Sequence, residues 1–218
     1  MEIISLTTGY MGSHEYVLAE NGKAIVIDPA DAALAEEVLS EKRLIPSLII
    51  LTHEHCDHNY ECDRIRRKYR CPIYASESCG KNLRDERRNY SKYYQALVMV
   101  QGRLPCDEQK TVKPFALEAD RVFRNEIKIR WEGHNLLLKE TPGHSEGSIC
   151  ILVDNQYLFT GDSLLWNEPV NTRFIGGSKK EYEKITLPWL RTLSDEVLVF
   201  PGHLEEFRLI DKLEQMIM

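Results

Sequence analysis

The chain has 218 residues, 43% hydrophobic and 28% charged, with 28 Lys and Arg against 34 Asp and Glu and a net charge of −6. This length favours one domain, at most two small ones, with ample material for a buried core, and so ordinary a composition excludes a disordered, collagen-like or low-complexity chain. No apolar run approaches the roughly 18–20 residues that span a bilayer, the opening MEIISLTTGY lacks the basic and apolar regions of a secretory signal, and the acidic balance argues against general nucleic-acid affinity.

In chain order, IISLTTG, EYVLAENG and KAIVIDPA read as strands, with Asn21-Gly22 as a hairpin turn. Residues 31–42 carry a helical pattern, and the apolar run Leu48–Leu51 leads into Thr52 and a histidine cluster. Asn59–Arg70 reads as helical, CPIYAS as a short strand, and Cys79–Val100 as mixed and mainly helical. From Arg121 the strands resume as RVF, IKIRW, NLLLKE, SICILV and QYLFT. Lys179–Leu193 is helical again, EVLVF is a last strand, and Glu205–Met218 a closing helix. The alternation predicts a layered α/β fold. A single domain over 1–218 is expected, with an irregular helical insert at about 80–117. That insert mixes basic residues with Tyr90, Tyr93 and Tyr94. It reads as a surface helix or a lid over a site rather than a grip on single-stranded nucleic acid. The run RIRRKYR reads as the solvated face of a helix.

The six cysteines, Cys56, Cys62, Cys71, Cys79, Cys106 and Cys150, include no C-x-x-C pair. They read as free thiols in a reducing, cytoplasmic setting, with Cys56 a spacer in the histidine cluster and not a ligand.

The chemistry is concentrated in Thr52–His58, THEHCDH, which holds His53, His55, Asp57 and His58 directly after a buried-type strand. Imidazoles this crowded repel one another when protonated, and a bound cation removes the conflict by taking their neutral forms. His144 in TPGH, Asp162 in TGD and His203 in FPGH each follow another apolar run. Four strand ends thus deliver metal-type ligands, in keeping with sites that gather at the carboxyl edge of layered sheets. Such donors suit zinc, and also iron or manganese. His14 and His134 stand in strand-like context and read as structural.

These motifs resemble the metallo-β-lactamase fold superfamily. The pattern H-x-H-x-D-H is His53, His55, Asp57 and His58, and the flanking words IDP, TPGH-x-x-G-S, FTGD and PGH are present in order. The resemblance implies an αββα sandwich of two mixed sheets flanked by helices. It implies two divalent ions, zinc foremost with iron or manganese as alternatives. One would be held by His53, His55 and His144, the other by Asp57, His58 and His203, with Asp162 shared. A metal-bridging hydroxide would attack an ester, thioester, lactone or amide carbonyl, Asp57 would orient it and pass a proton to the leaving group, and Asp28 and Thr52 would support from behind.

Within the superfamily, Asp162 disfavours true β-lactamases. GDSLL followed by GGS-x-x-x-Y and PGH is most similar to the glyoxalase II-like (hydroxyacylglutathione hydrolase-like) branch. Asn171 stands where that branch usually has arginine, and the chain stops soon after PGH, which puts glutathione thioesters in doubt. The leading expectation is therefore a hydrolase of a small thioester, ester or lactone, with a small-molecule substrate and neither nucleic acid nor membrane as partner. The alternatives are a mononuclear iron persulfide dioxygenase on the same scaffold, an RNA-cleaving member, and a non-catalytic member.

Overall fold

The computed structural model describes residues 1–101 and 109–215, so Cys106 and part of the expected insert lie outside the described residues. The chain divides into two compact units, Met1–Ala75 with Cys79–Val122, and Ser76–Ser78 with Phe123–Met218. The two sheets are both mixed and both carry helices, which bears out the expected fold class.

The first sheet runs in order from β1 (Glu2–Thr7) through β2 (His14–Glu20), β3 (Lys23–Ile27), β4 (Ile45–Ile50) and β5 (Ile73–Ser76) to β6 (Arg121–Phe123). The β2–β3 hairpin turns at Asn21 (φ 49°) and Gly22 (φ 75°), the two left-handed residues that a tight hairpin requires. Beyond it the pairing becomes parallel. α1 (Ala32–Glu41) carries the chain from β3 to β4, and α2 (Cys62–Tyr69) carries it from β4 to β5. Ala32, Ala35 and Leu39 recur at helical spacing on α1 and are buried with Val17, Val26, Ile49, Ile65 and Ile73. Because both crossovers are parallel, β3 and β4 end on the same edge. Asp28 follows the first and Thr52–His58 the second.

The second sheet contains β7 (Glu126–Trp131), β8 (His134–Glu140), β9 (Ile149–Val153), β10 (Tyr157–Gly161), β11 (Leu198–Pro201) and β12 (Phe207–Arg208), in the order β12-β11-β10-β9-β8-β7. β9 is antiparallel to both β8 and β10, and β10 is parallel to β11, so β8, β10 and β11 point the same way. Their carboxyl ends deliver His144, Asp162 and His203. Leu152, Leu158, Leu164, Leu190, Val199 and Phe207 form the core of this unit.

Several expected elements shift for local reasons. The helix expected from Asn59 begins at Cys62, after a single 3-10 turn over Cys56–His58, because the side chain of Asn59 is taken up by loop carbonyls. The closing helix expected from Glu205 is α7 (Leu209–Gln215). Phe207 and Arg208 are held as a strand against Val199 and Leu198, and the Phe207 ring meets Trp166 at 5.3 Å. The expected helix over Lys179–Leu193 is broken into α5 (Lys179–Glu181), a widened turn over Tyr182–Thr186, and α6 (Leu187–Leu190). Pro188 lies in α6 and has no N–H to continue the ordinary pattern. The described part of the insert holds α3 (Glu77–Asn82), a 3-10 turn over Ser91–Tyr93, and α4 (Tyr94–Gln101). The RIRRKYR run is paired with carboxylates: Arg64 and Lys68 with Glu36, Arg66 and Arg67 with Asp63.

Candidate metal centre

In the first unit, His53, His55, Asp57 and His58 occupy the loop after β4, with the His53 ring 4.6 Å from His55 and 4.5 Å from His58, centroid to centroid. Asp28, at φ 51° after β3, organises this loop from beneath. Its Oδ1 accepts from the Thr52 backbone at 2.7 Å, its Oδ2 accepts from the Thr52 hydroxyl at 2.5 Å, and Oδ2 lies 3.4 Å from His58 Nδ1. With its proton committed to Asp28, the Thr52 hydroxyl accepts from His53 Nδ1 at 3.0 Å. This assigns the tautomer in which His53 Nε2 carries the ligand lone pair. Burial pushes the Asp28 carboxyl above the usual aspartate range, and its contacts with His58 and Thr52 pull it partly back. One ligand atom each from Asp28, His53 and His58 lies within 4.8 Å of the others.

Other residues hold the loop itself. Asn59, fully buried, donates to the carbonyls of His55 at 2.8 Å and His53 at 3.3 Å. The Ser13 hydroxyl donates to the Asp57 carbonyl at 2.5 Å, and the Cys56 N–H donates to Asn89 O at 2.9 Å. Tyr90, in the left-handed region at φ 63°, places its ring edge-on to His55 at 4.9 Å. Burial pushes the Cys56 thiol well above its ordinary value, which keeps it protonated.

In the second unit, Asp162 Oδ2 lies 3.6 Å from His144 Nε2 and 3.7 Å from His203 Nε2. Ligand atoms that share a tetrahedral ion at about 2.0–2.1 Å stand roughly 3.3–3.5 Å apart, close to these spacings. His144 Nδ1 donates to Asn171 O at 3.0 Å, so here too Nε2 carries the lone pair. The Phe174 ring flanks His144 at 5.2 Å. In the first unit His58 Nε2 lies 3.6 Å from Asp57 Oδ2, so in both units buried imidazoles present Nε2 beside carboxylates, a donor set that fits divalent metal ions.

All seven sequence-predicted ligands thus stand at strand ends, four in the first unit and three in the second. His14 and His134 do not join either cluster: their Nδ1 atoms meet Tyr16 Oη at 3.2 Å and Asp154 Oδ2 at 2.6 Å. Sequence reasoning missed Ser13, Asn59 and Asn89. Of these only Asn59, directly after the last histidine of the motif, carries a readable signal.

Strand order, sheet composition and donor chemistry together define a metal-binding α/β protein. The family model described as the metallo-β-lactamase superfamily matches residues 11–203. The chain belongs to that superfamily. It is 26% identical over 212 residues to the probable metallo-hydrolase YqgX of Bacillus subtilis, covering 96% of this chain and 93% of that protein. It is also 26% identical over 205 residues to a hydroxyacylglutathione hydrolase of Klebsiella pneumoniae, covering 93% of this chain and 66% of that one. Among solved structures, the BLEG-1 B3 metallo-β-lactamase superposes with a TM-score of 0.80 at 24% identity over 98% of this chain and 97% of that chain.

Proposed function

We propose that the chain is a metal-dependent hydrolase of small acyl thioesters, esters or lactones, holding two divalent ions, zinc foremost with iron or manganese as alternatives. His53, His55 and His144 would hold one ion, Asp57, His58 and His203 the other, and Asp162 would be shared. The observation that carries the reading is the matched orientation of His53 and His144, each committing Nδ1 to a fixed acceptor and presenting Nε2 as a ligand atom. Superfamily membership and the two hydrolase-named relatives support the reaction class.

Ions bound there supply Lewis acidity and bring the pKa of water towards neutrality. The protein's own contribution is alignment and proton handling. Ser13 and Asn59 fix the backbone of the ligand loop. The Asp57 carboxylate would orient a water and return its proton to the leaving sulfur or oxygen. A small-molecule substrate, not nucleic acid, agrees with the net charge of −6 and with the paired state of the basic run on α2. The five described cysteines are buried free thiols, in keeping with a reducing cytoplasm, and among the described residues no helix is long and apolar enough to cross a membrane.

Elemental analysis of protein purified without added metal or chelator, followed by a thioester and lactone panel, tests this reading. Two metals per chain, with acyl hydrolysis lost in a folded Asp57→Ala variant, support it. One iron per chain, with oxygen uptake on glutathione persulfide and no acyl hydrolysis, overturns it in favour of a dioxygenase.

A further inference from the structure

The turn that carries His144 is gripped by one segment, which runs from the N-cap Ser178 through α5 and the widened turn to Thr186. Ser178, Tyr182 and Thr186 are spaced by four, and each touches the residues just before the ligand. The Ser178 N–H donates to Gly143 O at 2.8 Å, and the Thr186 hydroxyl donates to Pro142 O at 2.6 Å. Between them the Tyr182 ring presses on Gly143, where a Cβ would stand 2.7 Å from Tyr182 Cβ. Gly143 also has φ 153°, so glycine is required there twice over.

Between Tyr182 and Thr186 the segment widens: the Leu187 N–H donates back five residues to Tyr182 O, so this turn holds more residues than an α-helical one. Such turns are uncommon inside helices and recur at functional sites. Pro188 follows this one with no N–H to close an ordinary helical bond, and Thr186, fully buried, has its hydroxyl committed to the TPGH turn.

We propose that the widened turn is a clamp that sets the aim of His144, with Thr186 and Tyr182 as positioning residues for a bound metal. The proposal rests on the reading of His144 as a ligand. Thr186 and Tyr182 fix the backbone before the ligand, while Asn171 fixes its ring.

The test compares the full-length wild type with Thr186→Val, which keeps the branched shape without the donor, and Thr186→Ser, which keeps the donor. Zinc affinity is measured by chelator competition, and the ligand field by the absorption spectrum of the cobalt-substituted protein. The clamp requires Thr186→Val to bind one zinc per chain about tenfold or more weakly, the usual scale for a lost supporting contact. It also requires an altered cobalt spectrum in that variant, with Thr186→Ser restoring both. If Thr186→Val does not fold by circular dichroism, Tyr182→Leu must show the same weakening. A folded variant that matches wild type in zinc affinity and cobalt spectrum overturns the clamp alone. Wild-type protein that takes up no zinc or cobalt overturns the metal reading, and the clamp with it.

Discussion

Asn59→Ala removes the side chain that ties the His53–His58 loop together, and the structure sets its cost. The amide donates two hydrogen bonds, to His55 O at 2.8 Å and His53 O at 3.3 Å. At about 0.5–1.5 kcal/mol net for each hydrogen bond, their loss is worth roughly 1–3 kcal/mol. The His55 carbonyl also accepts from the His58 N–H at 3.1 Å, which softens its share. A second effect opposes the loss, because Asn59 Oδ1 is buried without a hydrogen-bond partner and its removal relieves a penalty of about 1 kcal/mol. Truncating a fully buried side chain leaves a cavity that costs about 1 kcal/mol and cancels that relief. The balance is a destabilisation of about 1–3 kcal/mol. Guanidinium unfolding of chelator-treated protein, followed by circular dichroism, reads it without a contribution from metal linkage. Asn59→Asp should lose more, since it turns a carboxylate towards two carbonyl oxygens. An Asn59→Ala variant within about 0.5 kcal/mol of wild type, the scatter of neutral surface changes, would refute the claim that this amide organises the loop.

Three further outcomes follow from the same contacts. Burial lifts the Glu15 carboxyl well above its ordinary value, and Asp31 and Glu61 add to this while the Asp31 N–H and Lys110 oppose it. The folded state therefore holds a proton that the unfolded chain releases above pH about 4.3, so stability falls as pH rises from there towards the raised value. Urea melts at pH 5 and pH 8 should show Glu15→Gln with a flatter dependence than wild type, and equal slopes would contradict this. Ile65→Ala, at a fully buried position of α2, should cost about 2–5 kcal/mol in the same assay, and a loss below 1 kcal/mol would mean that α2 does not pack as described. Chelation should lower Tm, and added zinc should restore it in a concentration-dependent way, each bound ion adding about 2.7 kcal/mol of stability at a hundredfold excess over its Kd; a Tm indifferent to zinc would count against the metal centre.

Much of the fold is legible in the sequence because periodicity and turn chemistry agree with the packing. Asn21-Gly22 reads as a hairpin and is one, and the helical pattern over 31–42 is α1. The failures are places where a distant partner overrides a local pattern. Phe207 and Arg208 look like the start of a helix until β11 offers them a ladder, and β11 lies six residues back across an irregular turn. Lys179–Leu193 has a continuous helical pattern, yet it is interrupted by a widened turn that ends just before Pro188 and bonds to the TPGH turn through Thr186, which no periodicity anticipates.

The site divides differently. Its candidate ligands are legible because they are scarce residue types placed after apolar runs, and their chemistry resides in side chains. The groups that aim them act largely through backbone atoms or ring faces, which leave little trace in residue type. Asn171 shows why. Its place in the chain departs from the arginine usual in the glyoxalase II-like pattern, and that departure looks like the loss of a functional residue. The structure shows that the contact with His144 is made by the carbonyl of residue 171, which any side chain would leave in place. The departure therefore bears on whatever the family's arginine side chain touches, not on the tautomer of His144. Thr52 is the converse case. Its hydroxyl donates to Asp28 while it accepts from His53, so valine would keep the shape and lose the relay, and only a small hydroxyl side chain can do both.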